Sequence, residues 1–124
     1  LRLSEPPPGI PAISPSVADD LLDVLETSVG AYSGGRRARV EGYRVGGKTG
    51  TVRKTGQQGY ATDAYRSVFA GIAPISDPRI VTVVMIDNPQ AGQFYGGAVA
   101  APVFSSVTGN ALRLLDVPPD HDVE

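Results

Sequence analysis

The residues best suited to chemistry lie in the run Gly46-Gly47-Lys48-Thr49-Gly50-Thr51, which fits two incompatible uses. Counted from Gly42, the run satisfies G-x-x-x-x-G-K-T, the pattern of a loop whose backbone amides cradle phosphate. Taken as Lys48-Thr49-Gly50-Thr51 alone, it sets an ammonium and two hydroxyls around a residue with no side chain. On an edge strand, Thr49 and Thr51 share one face while Lys48 and Gly50 share the other. Hydroxyls and a lysine suit a carboxylate, and a backbone N–H among them can polarise a carbonyl during acyl transfer. Gly50 lets a substrate backbone come close.

The flanking elements separate the two uses. A phosphate loop needs a buried strand before its glycines and a helix starting at Lys48-Thr49. Upstream lies Arg36-Arg37-Ala38-Arg39-Val40-Glu41, too charged for a buried parallel strand. Downstream, Gly50, Thr51, Val52, Thr55, Gly56 and Gly59 are poor helix formers, each glycine costing up to about 1 kcal/mol relative to alanine. Strand is therefore expected on both sides of Lys48, over residues 43–54.

The rest of the chain supplies a frame for that strand. Prolines 6–8 and 11 make residues 1–13 an extended lead-in. Ser14 is an N-cap with Pro15 in the first turn of a helix, and Asp19 and Asp20 lie toward its positive end. Val17, Leu21, Leu25 and Val29 form its apolar stripe, and Gly30 ends it. A polar turn is expected at Thr55–Gly59, a second strand at Tyr65–Ala73 and a third at Ile80–Ile86. The third is apolar at almost every position and reads as a central strand covered on both faces. A loop of glycines and aromatics follows from Asp87 to Gly97. A final helix begins near Pro102 and carries Val103, Val107, Ala111 and Leu114 on one side. The short turns favour antiparallel neighbours. The expected fold class is α+β: an antiparallel sheet of about three strands flanked by an N-terminal and a C-terminal helix. Two helices on so small a sheet leave apolar surface for a missing remainder to cover. Residues 1–119 read as one unit and 120–124 as a frayed acidic tail.

Composition narrows the classes of function. The 124 residues are 41% hydrophobic and 19% charged, as in a globular unit, with a formal net charge of -2. Seven of the 11 basic residues fall between 36 and 54 (Arg36, Arg37, Arg39, Arg44, Lys48, Arg53, Lys54). Tyr43 is the one aromatic among them, so a nucleic-acid surface is not indicated. Without cysteine there are no disulfides or thiolate metal sites. The single histidine, His121, sits in the acidic tail, away from any metal or catalytic grouping. The apolar run Ile80–Ile86 is too short to span a bilayer. Tyr65, Phe69 and Ile72 read as core, whereas Phe94-Tyr95, adjacent aromatics between glycines on a loop, read as a surface for a ligand.

Taken in order, Lys48-Thr49-Gly50-Thr51, Phe69-Ala70-Gly71-Ile72-Ala73-Pro74, the strand ending at Asp87, Tyr95-Gly96-Gly97 and Ala101-Pro102-Val103-Phe104 carry a resemblance. From about Ser14 to Pro119 the chain resembles the C-terminal part of a penicillin-binding protein transpeptidase domain. The likeness is to class B, division-type enzymes of the penicillin-binding protein 3 kind in Gram-negative bacteria. It implies the penicillin-binding serine-transferase fold and peptidoglycan D,D-transpeptidase activity, with no metal or organic cofactor. Lys48 would link the active-site hydrogen bonds to the substrate carboxylate, which the Thr49 and Thr51 hydroxyls would bind beside Gly50. The Thr51 amide would be an oxyanion donor. Phe94 and Tyr95 would wall the cleft and Arg53 would line its lower edge. The implied partners are peptidoglycan stem peptides, β-lactams, the upstream remainder of the protein and cell-division proteins. The implied place is the periplasmic face of the inner membrane, held by an anchor outside this chain.

Two signatures of that family are missing. No serine is followed three residues later by lysine, and neither Asn88 nor Asn110 has a serine two positions before it. The nucleophile is thus expected outside this chain, leaving it inactive alone. A β-lactamase or penicillin sensor of the same fold, and a phosphate-loop nucleotide binder, remain the alternatives.

Overall fold

A computed structural model describes residues 7–56, 59–90 and 92–121. The chain runs helix α1 (Pro15–Thr27), a short 3-10 helix (Arg36–Ala38), strands β1 (Gly46–Gly56), β2 (Gly59–Ala73) and β3 (Ile80–Asp87), and helix α2 (Gly96–Leu114). The strands form one antiparallel sheet in the order β1-β2-β3. This is the α+β arrangement expected from the sequence, although several boundaries move. β1 starts at Gly46 rather than at residue 43, because Tyr43 and Val45 are drawn into the core ahead of it. β1 and β2 extend to Gly56 and from Gly59, shortening the polar turn; residues 57 and 58 lie outside the described residues.

Ser14 caps α1 as expected, its hydroxyl accepting from the Val17 amide at 3.4 Å. No acid lies in the first turn, and the expected stripe divides: Val17 and Leu21 are exposed, Leu25 is half-buried against Gly46 of β1, and Val29, just past the helix, joins the core. The core lies elsewhere. Phe69 on β2 and Phe104 on α2 are fully buried with ring centroids 4.8 Å apart. Val29, Ala38, Val40, Tyr43, Val45, Ala73, Ala100, Ala101, Leu112 and Val117 complete the cluster. A Cβ on Gly71 would lie 2.5 Å from the Phe104 ring, and one on Gly47 would lie 2.6 Å from Phe69. Gly71 is thus demanded by the packing of α2 on the sheet, and Gly47 by the Phe69 ring that lies against it.

The reading of β3 as a central strand covered on both faces is overturned. β3 is an edge, and its residues alternate between half-buried and exposed. One face packs on α2, where Thr108 and Thr82 hydroxyls meet at 3.1 Å. On the other, Val81, Val83 and Met85 are 70%, 63% and 63% exposed. The run looks two-sided because both its rows are apolar, yet only one is covered by the described residues. Val83 and Met85 stand opposite Ala70 and Val68, which stand opposite Lys48 and Gly50. Direct antiparallel partners share a face. Lys48 and Gly50 therefore lie on the same open, largely apolar face.

α2 begins at Gly96, six residues before Pro102, so the proline expected in its first turn is internal. The tail also departs from expectation at its start. Asp120 accepts from the Arg44 amide (2.7 Å) and the Ser76 hydroxyl (2.7 Å), and the amides of Asp120 and His121 donate to the Gly42 carbonyl. Residues 122–124 lie outside the described residues.

Candidate active site

β1 is a sheet edge, so alternate backbone groups along it face away from β2 without a strand partner. Lys48 is exposed on the open face, its Nζ donating to the Thr49 carbonyl at 2.8 Å. Gly50 differs from its neighbouring glycines. A Cβ there would meet nothing closer than 3.6 Å, the Cβ of Val68. Packing within this chain does not require glycine at 50.

Thr49 and Thr51 face the opposite way, toward the start of α2. The N-cap residue of α2, Tyr95, offers no side-chain cap. Thr51 replaces it from the sheet, its Oγ1 accepting from the Gly96 amide at 3.1 Å. The approach depends on Gly96 and Gly97. A Cβ on Gly96 would fall 2.3 Å from the Val68 carbonyl oxygen, and one on Gly97 would fall 2.0 Å from that of Gly34. The result is a cleft of about 340 Å³ lined by Thr49, Thr51, Tyr95, Gly97, Arg36 and Arg37 among others.

Arg37 has a distinct task there. Pro102 has no N–H, so the carbonyl of Ala98, four residues before it, loses its helical donor. The Arg37 guanidinium donates to that carbonyl at 3.3 Å and ties the 3-10 helix to the first turns of α2. Nothing in the local sequence marks this contact, since the two residues are 61 apart.

The aromatic side of the site is a ladder. Arg53 donates to the Tyr65 hydroxyl at 3.0 Å, with its guanidinium carbon 5.5 Å from the ring centroid. Tyr65 stacks on Phe94 at 4.0 Å and 10°, and Phe94 meets Tyr95 at 4.6 Å. Ser67, buried on β2, donates to the Phe94 carbonyl and fixes the loop. The sequence placed Tyr65 in the core. It is only half-buried, and it is the rung that joins Arg53 to Phe94. Its position at the β2 end of a long hairpin, opposite Arg53, is what local patterning could not reveal. Tyr95 ends the ladder and is 65% exposed.

The basic cluster at 36–54 divides by structure. Arg44 makes a two-pronged pair with Glu26 of α1, at 2.8 and 2.6 Å. Lys54 (3.0 Å) and Arg66 (3.2 Å) both meet Asp87. Hydrogen bonding from Lys54, then from Arg66, holds the Asp87 carboxyl below its usual range despite some desolvation. Lys48, Arg36 and Arg37 have no such acid partner among the described residues.

These positions decide between the two uses of the glycine-rich run. No helix follows Lys48; Gly46–Gly56 is a continuous strand, so a phosphate loop is excluded. The family described as the penicillin binding protein transpeptidase domain matches residues 2–109. The chain belongs to the penicillin-binding protein transpeptidase family. It is 47% identical over 110 residues to a probable peptidoglycan D,D-transpeptidase, PbpC, of Pseudomonas aeruginosa, spanning 89% of this chain and 20% of that protein. It is 40% identical over 119 residues to the peptidoglycan D,D-transpeptidase FtsI of Escherichia coli K12, spanning 96% and 20%. Among solved structures, the apo transpeptidase domain of Burkholderia pseudomallei penicillin-binding protein 3 superposes with a TM-score of 0.85 at 43% identity. That match covers 95% of this chain and 36% of the other. The chain thus spans about a fifth of the length of these curated relatives. No helix among the described residues is long and apolar enough to cross a membrane.

Proposed function

We propose that the whole protein is a serine-type peptidoglycan D,D-transpeptidase of the division-associated class B kind, and that this chain is its carboxylate-binding and oxyanion wall. The observation that carries the reading is the cleft shared by Thr49 and Thr51 at the amino end of α2, beside a Gly50 that internal packing does not need. Residues 1–119 would be the C-terminal part of the transpeptidase domain. A nucleophilic serine outside this chain would attack the carbonyl of the penultimate D-Ala of a stem peptide. The tetrahedral oxyanion would be held in part by the Thr51 amide. Its collapse breaks the D-Ala–D-Ala bond, and the terminal D-Ala leaves as an amine bearing a proton. An amine of a neighbouring stem then attacks the acyl-serine ester, forming the cross-link and returning the proton to the serine oxygen.

In this scheme the Thr49 and Thr51 hydroxyls donate to the substrate's terminal carboxylate. Lys48 lies on the open sheet face with Val81, Val83 and Met85, the face the upstream remainder of the protein would cover. There its ammonium would connect the serine's hydrogen-bond network to that carboxylate. Phe94 and Tyr95 would wall the cleft, with Arg53 below. β-Lactams would acylate the same serine by opening their ring. No cofactor is required. Cell-division proteins would be partners, at the periplasmic face of the inner membrane, with the anchor outside this chain.

Incubating the full-length protein with a stem pentapeptide and an acceptor amine tests this. Release of D-Ala with formation of the cross-linked peptide is the expected result. Hydrolysis of β-lactam with no transfer product would favour a β-lactamase instead.

A further inference from the structure

Two arginines share the cleft with the threonines, and their tasks differ. Arg37 is committed to the Ala98 carbonyl. Arg36, its exposed neighbour on the 3-10 helix, has no side-chain partner among the described residues. Among the described residues no acid lines the cleft, and the charges there are these two guanidiniums. One terminal carboxylate suits the two hydroxyls. It leaves a net positive wall beside them, a poor arrangement for the empty protein and a good one for an occupant with further negative charge.

We propose that Arg36 reads a second carboxylate, carried by the substrate peptide in addition to its C-terminal one, and so sets a preference for acidic stem peptides. The proposal rests on the acyl-transfer reading of the same cleft. Arg37 acts as a positioning residue: by holding the 3-10 helix to α2, it fixes the direction from which Arg36 reaches the substrate. A guanidinium suits this task because its planar fork can take both oxygens of a carboxylate, whereas a lysine ammonium presents a single point of charge. The effect should weaken as salt rises, because Arg36 is exposed.

The test uses the full-length protein and two synthetic stem peptides that differ at one place, an internal carboxylate left free or converted to its amide. The readout is the ratio of kcat/KM for acyl transfer from the two. The wild-type protein should prefer the free acid by about tenfold, the scale of one hydrogen bond to a charged group. Arg36→Ala should bring the ratio close to one, and Arg36→Lys should keep part of it. A wild-type ratio near one would overturn the proposal. So would a variant that slows both peptides equally and leaves the ratio intact, the behaviour of a structural residue. Failure of the wild-type protein to turn over either peptide or to be acylated by penicillin would instead overturn the underlying transpeptidase reading.

Discussion

The Thr51 hydroxyl accepts a hydrogen bond from the Gly96 amide at 3.1 Å, so a strand residue caps a helix 45 positions away. Tyr95, at the N-cap position, supplies no cap of its own. An amide donor occupies one lone pair of Oγ1 and leaves the O–H proton free to be given to an anion. The helix end adds its own positive potential. On the proposed reading, fold and substrate site are joined at one hydroxyl, and changes there should register in both.

Replacing Thr51 with valine and with serine separates the two roles. Thr51→Val leaves the buried Gly96 N–H without its acceptor, at about 1 kcal/mol, the cost of a lost cap. It also removes the donor proposed for the substrate carboxylate, which should slow penicillin acylation of the full-length protein by about 10- to 100-fold. Thr51→Ser keeps both bonds and should stay close to wild type. Thermal melts and acylation rates on the three proteins check this; a serine variant as impaired as valine would contradict it.

The glycines should respond in opposite ways. Gly50→Ala fits without a clash, its Cβ 3.6 Å from Val68, so the melting temperature should barely move. Acylation should fall, because the methyl would stand in the proposed path of the substrate backbone. Gly96→Ala would put a methyl 2.3 Å from one carbonyl oxygen and 2.6 Å from another, and should destabilise the protein by about 1–3 kcal/mol, the usual cost of overpacking. Equal losses of melting temperature in both would argue against the distinction.

The ladder from Arg53 to Tyr95 predicts coupling across the hairpin. Phe94→Ala loses the stack on Tyr65, which contributes about 0.5–1.5 kcal/mol beyond burial, and frees the loop carrying Tyr95. KM for the stem peptide should rise more than kcat falls. Tyr65→Phe keeps the stack and loses only the acceptor for Arg53, so its effect should be in the same direction and smaller. Steady-state kinetics on the two variants tests the order.

Asp120 gives the fold a dependence on acid. Burial alone would raise its carboxyl, but hydrogen bonds from the Arg44 amide and from Ser76 outweigh that and hold it below the ordinary value. A folded value lower than the unfolded one, about 3.9, means stability that is present above that pH and lost as pH falls through the folded value. Asp120→Asn should therefore melt lower than wild type at pH 7, with the gap narrowing below about pH 4. A gap of constant size across that range would show that the charge is not what matters.

How much of this was legible in the sequence follows from the range of the contacts. Ser14, the three strands and the strand character around Lys48 came from neighbouring residues, through caps, β-branched runs and glycines. The start of α2 was missed because Pro102 is a strong local signal for a first turn. Its cost is met by Arg37, 61 residues away. β3 was misplaced because a run that is apolar on both rows looks the same whether or not its second face is covered. Tyr65 looks like core in the sequence because its partners, Arg53 and Phe94, reach it only after the hairpin closes. Lys48, Thr49, Gly50 and Thr51 could be singled out by type and spacing. That Thr51 also caps α2 could not.

The central claim is that this chain forms one wall of an acyl-transfer site whose nucleophile lies outside it. Peptide mapping by mass spectrometry, after labelling the full-length protein with penicillin, tests it most directly. The expected result is a single acylated serine upstream of residue 1, with the label abolished or much slowed in Lys48→Ala. An acyl group on any serine within residues 1–124 would contradict it.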